Sequence, residues 1–323
     1  MGHIAPHIYF IKGGEVMSEQ MGYPFIYNGV PSEYYNVSLV FLDGNYTNRP
    51  SGSNKSMITE NIHRNAKKMF LDVKQEEPLK FDIEVVFENA VDMYTLSKVK
   101  SWLTSGIGYY PLQICAEYFA TYYYNCVIHL KEDLIYADGY RGVSATVECD
   151  APWAWQFPQT DEYQLNVGGT TNIIFNNLSE DIEPLKPVLK FHMKQAGKFS
   201  LNCKYYDNVY FMIYHEESIV KNNLTYQQAM AYCLQHKIPT ESIQPALRYD
   251  KTTEFTNLLE NDVIVCDNQY GIIKADLTPN IVNNFNKVFL KMPNGLCHLT
   301  ITGQADIMSI TYENAKRLGG SYY

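Results

Sequence analysis

Apolar and polar residues alternate with period two from Leu79 to Phe87. Phe81, Ile83, Val85 and Phe87 share one face, and Lys80, Asp82 and Glu84 share the other. Successive side chains of a strand point to opposite faces, so this pattern predicts a half-buried strand. The period then changes. Met93, Leu96, Val99 and Leu103 lie three or four apart, the spacing of one helical stripe, and predict a helix over about 90–104. Asn89 is placed to cap it, Asp92 falls in its first turn, Lys98 and Lys100 fall late, and Gly106 follows its end.

Around this pair the first half reads as short strands. One runs over 22–31 with the hairpin-type turn Asn28-Gly29, and the others cover 37–42, 109–115, 122–130 and 141–149. Residues 43–56 are rich in Asn, Gly, Ser, Thr and Pro and predict an exposed loop, while 1–20 read as an extension with little periodicity. Pro152 and Pro158 punctuate the chain and set a domain boundary near 158.

The second half again predicts strands, at 172–176, 188–193, 200–206, 209–214, 263–266, 272–273, 287–290, 296–303 and 307–312, with Asp207-Asn208 as a break. Short strands at this spacing suggest a sandwich. One helix interrupts them. Thr225 and Gln228 match a capping box, Ala229, Met230 and Cys233 form a stripe, and Pro239 lies beyond the end.

Composition narrows the function classes. The 323 residues are 46% apolar and 19% charged, enough to bury a core in about two domains. A net charge of −9 without a basic block argues against nucleic-acid binding. No run of about 18 apolar residues suggests a membrane span, and the start lacks the basic and apolar regions of a secretory signal. The seven cysteines are widely spaced with no Cys-x-x-Cys, which suggests reduced, buried thiols. The 27 Tyr, 15 Phe and 3 Trp suit strands and contact surfaces.

Catalytic signatures are missing. The chain has no phosphate loop, no Gly-x-Ser-x-Gly elbow and no His-Glu-x-x-His. His215-Glu216-Glu217 comes nearest to a metal cluster, but neighbours on a strand face opposite ways and rarely share an ion. No cofactor or metal is expected. Trp153 and Trp155 beside the boundary, and Tyr205, Tyr206 and Tyr210, could stack on a sugar or a partner, or simply pack.

The layout resembles the distal tail (Dit) protein family of long-tailed, siphovirus-type bacteriophages. The resemblance runs from Phe25-Ile-Tyr-Asn-Gly-Val through the strand Phe81–Phe87 and its helix ending Trp102-Leu103. It continues with Pro111-Leu112, the Tyr-rich strand 122–130 and Glu148-Cys-Asp-Ala-Pro-Trp-Ala. In the second half its markers are Asn177-Leu178, Pro187-Val-Leu-Lys-Phe, Leu259-Glu-Asn-Asp-Val-Ile-Val-Cys-Asp, Phe289-Leu-Lys-Met-Pro-Asn-Gly and Leu299-Thr-Ile-Thr-Gly-Gln-Ala-Asp-Ile. It covers about 21–318. Residues 1–20, an apparent insertion at about 216–250, and the tail from Arg317 fall outside the family pattern.

The resemblance implies a mainly β protein. Residues 21–158 would form a β-barrel-like, ring-forming domain with one helix. Residues 159–323 would form a galectin-like β-sandwich carrying the insertion. It also implies a structural virion protein at the tail tip or baseplate: a homo-hexameric hub ring joining the tail tube protein to the tail-tip hub protein. Receptor-binding proteins are possible further partners, with a role in host attachment. No catalysis, specific nucleic acid or membrane insertion is implied. The alternatives are a carbohydrate-binding β-sandwich protein and another tail tube or adaptor subunit.

Overall fold

The computed structural model describes residues 7–8, 11–12, 15–16, 20–40, 56–61, 68–74, 77–116, 119–181 and 183–317. The expected extension 1–20, loop 43–56 and tail from Arg317 lie largely outside them. The chain forms two compact units, Met1–Phe157 with Ala315–Tyr323, and Pro158–Asn314.

Unit 1 contains β1 (Phe25–Tyr27), β2 (Val30–Pro31), β3 (Val37–Val40), β4 (Lys80–Val91), α1 (Met93–Thr104), β5 (Tyr110–Ile114), β6 (Tyr122–Tyr136), β7 (Gly139–Cys149) and β8 (Ala154–Gln156). The main strand order is β2-β1-β5-β6-β7-β4-β3, with β8 paired to β6. The β1–β2 turn needs two left-handed residues, which Asn28 (φ 50°) and Gly29 (φ 74°) supply. Tyr23 and Leu39 exchange hydrogen bonds of 2.9 and 2.8 Å, tying the segment before β1 to β3 at the other end of the order. The sheet is barrel-like without being a closed barrel. Ser56–Asn61 and Lys68–Lys74 pair as a separate ribbon.

β4 follows its sequence pattern. Ile83, Val85 and Phe87 are buried, while Asp82 pairs with Lys131 at 2.6 Å and Lys80 with Glu148 at 2.7 Å across the polar face. The helix starts later than the periodicity suggests, because β4 continues to Val91, which pairs with Tyr140. Asp92, not Asn89, is the cap, its side chain accepting from the Thr95 N–H at 2.7 Å. Met93 consequently faces solvent, and α1 buries Leu96, Val99, Trp102 and Leu103.

Unit 2 contains β9 (Gln159–Gln164), β10 (Thr170–Asn177), β11 (Val188–Met193), β12 (Gly197–His215), β13 (Ser218–Leu224), α2 (Tyr226–His236), β14 (Ile243–Leu258), β15 (Val263–Asp267), β16 (Ile272–Ala275), β17 (Gly295–Gly303) and β18 (Ala305–Tyr312). One antiparallel sheet has the order β9-β18-β11-β15-β16. The other has β10-β17-β12-β13, with β14 on β12. Side chains from both sheets share one core, so the unit is a sandwich. Phe191 stacks on Phe199 with ring centres 3.8 Å apart, and Phe255 stacks on Phe285 at 4.7 Å.

Four expectations change in this half. Asp207-Asn208 is no break, since β12 runs through it with a bulged register. Residues 287–290 form no strand. Their backbone is held instead by buried Asn268, which accepts from the Leu290 N–H at 2.7 Å and donates to the Pro187 carbonyl at 2.6 Å. The segment 216–250 is only partly helical: α2 takes Tyr226–His236, and β13 and the start of β14 flank it. Finally, residues beyond 314 leave the sandwich. Their strand β19 (Ala315–Lys316) pairs with β8 in unit 1, although 159–323 was expected to form one domain.

Candidate functional site

In unit 1 an aromatic stack runs from the core to the surface. Trp102 lies between Phe25, at 5.5 Å, and Tyr35, at 4.7 Å, with Tyr27 edge-on at 6.2 Å. Tyr34 meets Tyr35 edge-on and is 77% exposed. Trp102 Nε1 is buried with no hydrogen-bond partner among the described residues. That omission costs about 1–3 kcal/mol and leaves stacking to hold the indole. Tyr110 lies over the chain just after α1, its ring where a Gly106 side chain would be, and Ile107 beside it is fully exposed. Met93 and Tyr94 are exposed at the start of α1, and Ile135 and Tyr136 at the end of β6. Exposed large apolar side chains grouped around structured elements mark interaction surfaces.

The candidate stacking residues fall in both units, and within unit 2 the three tyrosines have different surroundings. Tyr205 packs against the sandwich core, and its ring lies 3.4 Å from where a Gly295 side chain would begin. Tyr206, the next residue along the strand, stands edge-on to His298 at 5.4 Å. Tyr210 lies past the bulge, under the Arg248 guanidinium at 5.2 Å. Trp153 and Trp155 are half-buried in unit 1 and meet edge-on at 6.0 Å.

The register explains a second surface. β17 accompanies β12 only from Phe199 to Tyr205. Further along, β12 pairs with β13 and β14 to form an arm on which α2 packs. Thr225 and Gln228 form the expected capping box, and Ala229 and Cys233 are buried with Ile213 in a small core of their own. Met230 is only half-buried. Leu234 is 72% exposed, Tyr226 is 54% exposed, and Ile219 and Val220 on β13 also face outward.

A polar knot missed by sequence reasoning holds the base of this arm. Asp207 accepts from the Val209 and Tyr210 N–H groups at 2.7 and 3.2 Å. Arg248 Nε donates to the same carboxylate at 2.8 Å, and Arg248 Nη2 donates to Asn223 Oδ1 at 2.6 Å. The Val209 N–H is the strongest influence holding the Asp207 carboxyl below its ordinary range, with Arg248 and the Tyr210 N–H adding to it against an opposing effect of burial. The Asp-x-Val turn was visible in the sequence, but Arg248 lies 41 residues away.

Catalytic chemistry has little to start from here. His215 contacts Glu216 at 3.8 Å in a turn where Glu216 and Glu217 both have positive φ. No group of three metal-ligating side chains occurs among the described residues. Burial pushes the Cys149 and Cys266 thiols up to about 12, so they are not ready nucleophiles. No helix among the described residues is long and apolar enough to cross a membrane.

Two β units with exposed aromatic side chains suit a contact-making protein. Comparison with known proteins agrees. Residues 21–151 match the family described as "Phage tail protein N-terminal domain". The fold is shared with the Dit protein of phage SPP1, a hub adsorption apparatus protein of Gram-positive-infecting phages. The TM-score is 0.55 at 9% identity, covering 90% of this chain and 98% of that one. A chain of the phage P2 baseplate in its activated, calcium-bound conformation aligns with a TM-score of 0.43 at 7% identity, covering 91% and 98%. No curated protein sequence matches. The match over residues 21–151, together with the shared fold, indicates a place in the virion tail. The Dit-like fold is consistent with the distal tail family that the sequence resembles.

Proposed function

We propose that this protein is the subunit of the distal tail hub ring. In this reading it joins the tail tube to the tail tip or baseplate and carries receptor-binding proteins. One observation carries the reading: the fold shared with a Dit protein spans 98% of that chain, and a tail-protein match covers residues 21–151. Six copies would close the ring through unit 1, whose exposed Tyr34, Ile107, Met93 and Tyr94 are available for neighbouring copies. A ring joins two different patches of each subunit, so apolar groups at separate places on one unit suit it. Unit 2 and its arm would meet other tail proteins, and no residue would perform catalysis. The carbohydrate-binding alternative has less support, because Tyr205 packs on the sandwich core while its neighbour Tyr206 meets His298.

Native mass spectrometry and negative-stain imaging of the full-length protein test this. A six-fold ring is the expected result, and one ring per tail should be seen by labelling virions. A stack of rings along the tail would indicate a tube subunit instead. A monomer at all micromolar concentrations, together with no labelling of the tail end, would overturn the reading.

A further inference from the structure

Four of the seven cysteines meet in two pairs, one in each unit, and their strand registers differ. In unit 1, Cys126 on β6 lies directly opposite Cys149 on β7. The ladder bonds identify the type of pair. The Asp150 N–H donates to the Asn125 carbonyl at 2.9 Å, so the 125/150 positions are the hydrogen-bonded pair. The Cys149 N–H points the other way, to the Leu79 carbonyl at 2.9 Å. Cys126 and Cys149 are therefore a non-hydrogen-bonded pair, the arrangement that brings opposing Cα atoms to about 4.5 Å and side chains closest together. Disulfides span Cα separations of about 4.4–6.8 Å, so this site needs no backbone movement to be bridged. In unit 2, by contrast, Cys203 lies opposite Leu299, and Cys297 opposite Tyr205. The two cysteines lie on a diagonal of the ladder, a longer span for the backbone, and the Cys297 thiol donates to the Pro293 carbonyl at 3.2 Å.

We propose that Cys126 and Cys149 are a latent oxidation site that closes to a cross-strand disulfide when the protein meets a peroxide. Both side chains are fully buried, so the thiols are inert until the strands open locally. Hydrogen peroxide then oxidises one sulfur to a sulfenic acid. An S–O bond forms, the O–O bond breaks and one water leaves. The second thiol attacks that sulfur, the S–S bond forms, the S–O bond breaks and a second water leaves. The crosslink would clamp the open end of the β6–β7 hairpin, whose turn lies at residues 137–138. The inference rests on strand register alone and is independent of the hub reading.

The test uses the full-length reduced protein. It is exposed to hydrogen peroxide, alkylated with iodoacetamide under denaturing conditions and mapped without reduction. The expected result is joint loss of alkylation at Cys126 and Cys149, a peptide linking them, and reversal by dithiothreitol. Cys203 and Cys297 should remain alkylatable under the same exposure. In a Cys126→Ala variant, Cys149 lacks its resolving partner and should be labelled by dimedone, which leaves the wild-type protein unlabelled. Persistent alkylation at both positions, a sulfinic acid in place of the link, or a link between Cys203 and Cys297 alone would each overturn the proposal. The wild-type map decides the matter even if the variant fails to fold.

Discussion

The sandwich of unit 2 and the arm that grows from it use the same two strands in different ways. Between Phe199 and Tyr205, β12 is covered by neighbours on both sides and by the opposite sheet, so Phe199, Leu201 and Cys203 are fully buried. Past Tyr205, β17 no longer pairs with β12. The fully buried apolar residues of the arm's core are Ile213, Ala229 and Cys233. A helix of 11 residues is marginal alone, so α2 depends on that small core, its caps and the Arg248 knot. The contrast separates stability carried by apolar packing from stability carried by polar fastening, within one unit.

Substitutions should break the two regions by different mechanisms. The largest effect is expected for Phe191→Ala, which empties the stack with Phe199 and Phe255 and should cost about 3–5 kcal/mol. Thermal unfolding should show unit 2 melting early, with the arm lost alongside the sandwich. Arg248→Ala should act more locally. Its partly exposed ion pair and its bond to Asn223 are worth about 1–2 kcal/mol. Hydrogen exchange should speed up in β13 and α2 while β11, β17 and β18 stay protected. If the sandwich loosens equally, the arm is not an independent unit.

Smaller effects should sharpen the same boundary. Thr225→Ala removes the cap that accepts from the Gln228 N–H and should cost about 1 kcal/mol, again confined to the arm. Acid should reach the knot through Asp207. Its carboxyl is held below the ordinary value of 3.8, so the contribution is full above that pH and is lost as pH falls through the lower, folded-state value. The arm should therefore fray only below about pH 4. An Asp207→Asn variant should show faster arm exchange already at neutral pH. Loss of arm protection well above pH 4 in the wild type would point to a different titrating group.

Much of this was legible in the chain, for reasons tied to particular residues. The alternation at Phe81–Phe87 identified β4 because one face of that strand is buried and the other is wet. Asn28-Gly29 identified a hairpin because few other pairs tolerate two left-handed residues in a row. The Thr225–Gln228 box identified the start of α2 because a capping box is local chemistry. The start of α1 was misread because β4 and the helix compete for 88–91, and the competition is settled by Tyr140 on another strand. Lys287–Leu290 reads as strand in composition, yet its backbone is claimed by Asn268 from a distant turn. Tyr205 and Tyr206, as neighbours on one strand, meet different surroundings, the sandwich core and His298.

The sequence by itself determined the mainly β character, the two helices, the caps and turns, and the resemblance to tail proteins. Each of these rests on interactions between residues a few positions apart, or on ordered markers along the chain. Only the tertiary structure decided that the strands flanking α2 pair with β12 to form an arm. It also decided that Ala315–Lys316 returns to unit 1, that Arg248 fastens Asp207 to Asn223, and that Cys126 faces Cys149. These outcomes depend on register between distant strands. A shift of one residue exchanges the faces of a whole strand, and only the packed cores of the finished units select one register from the rest.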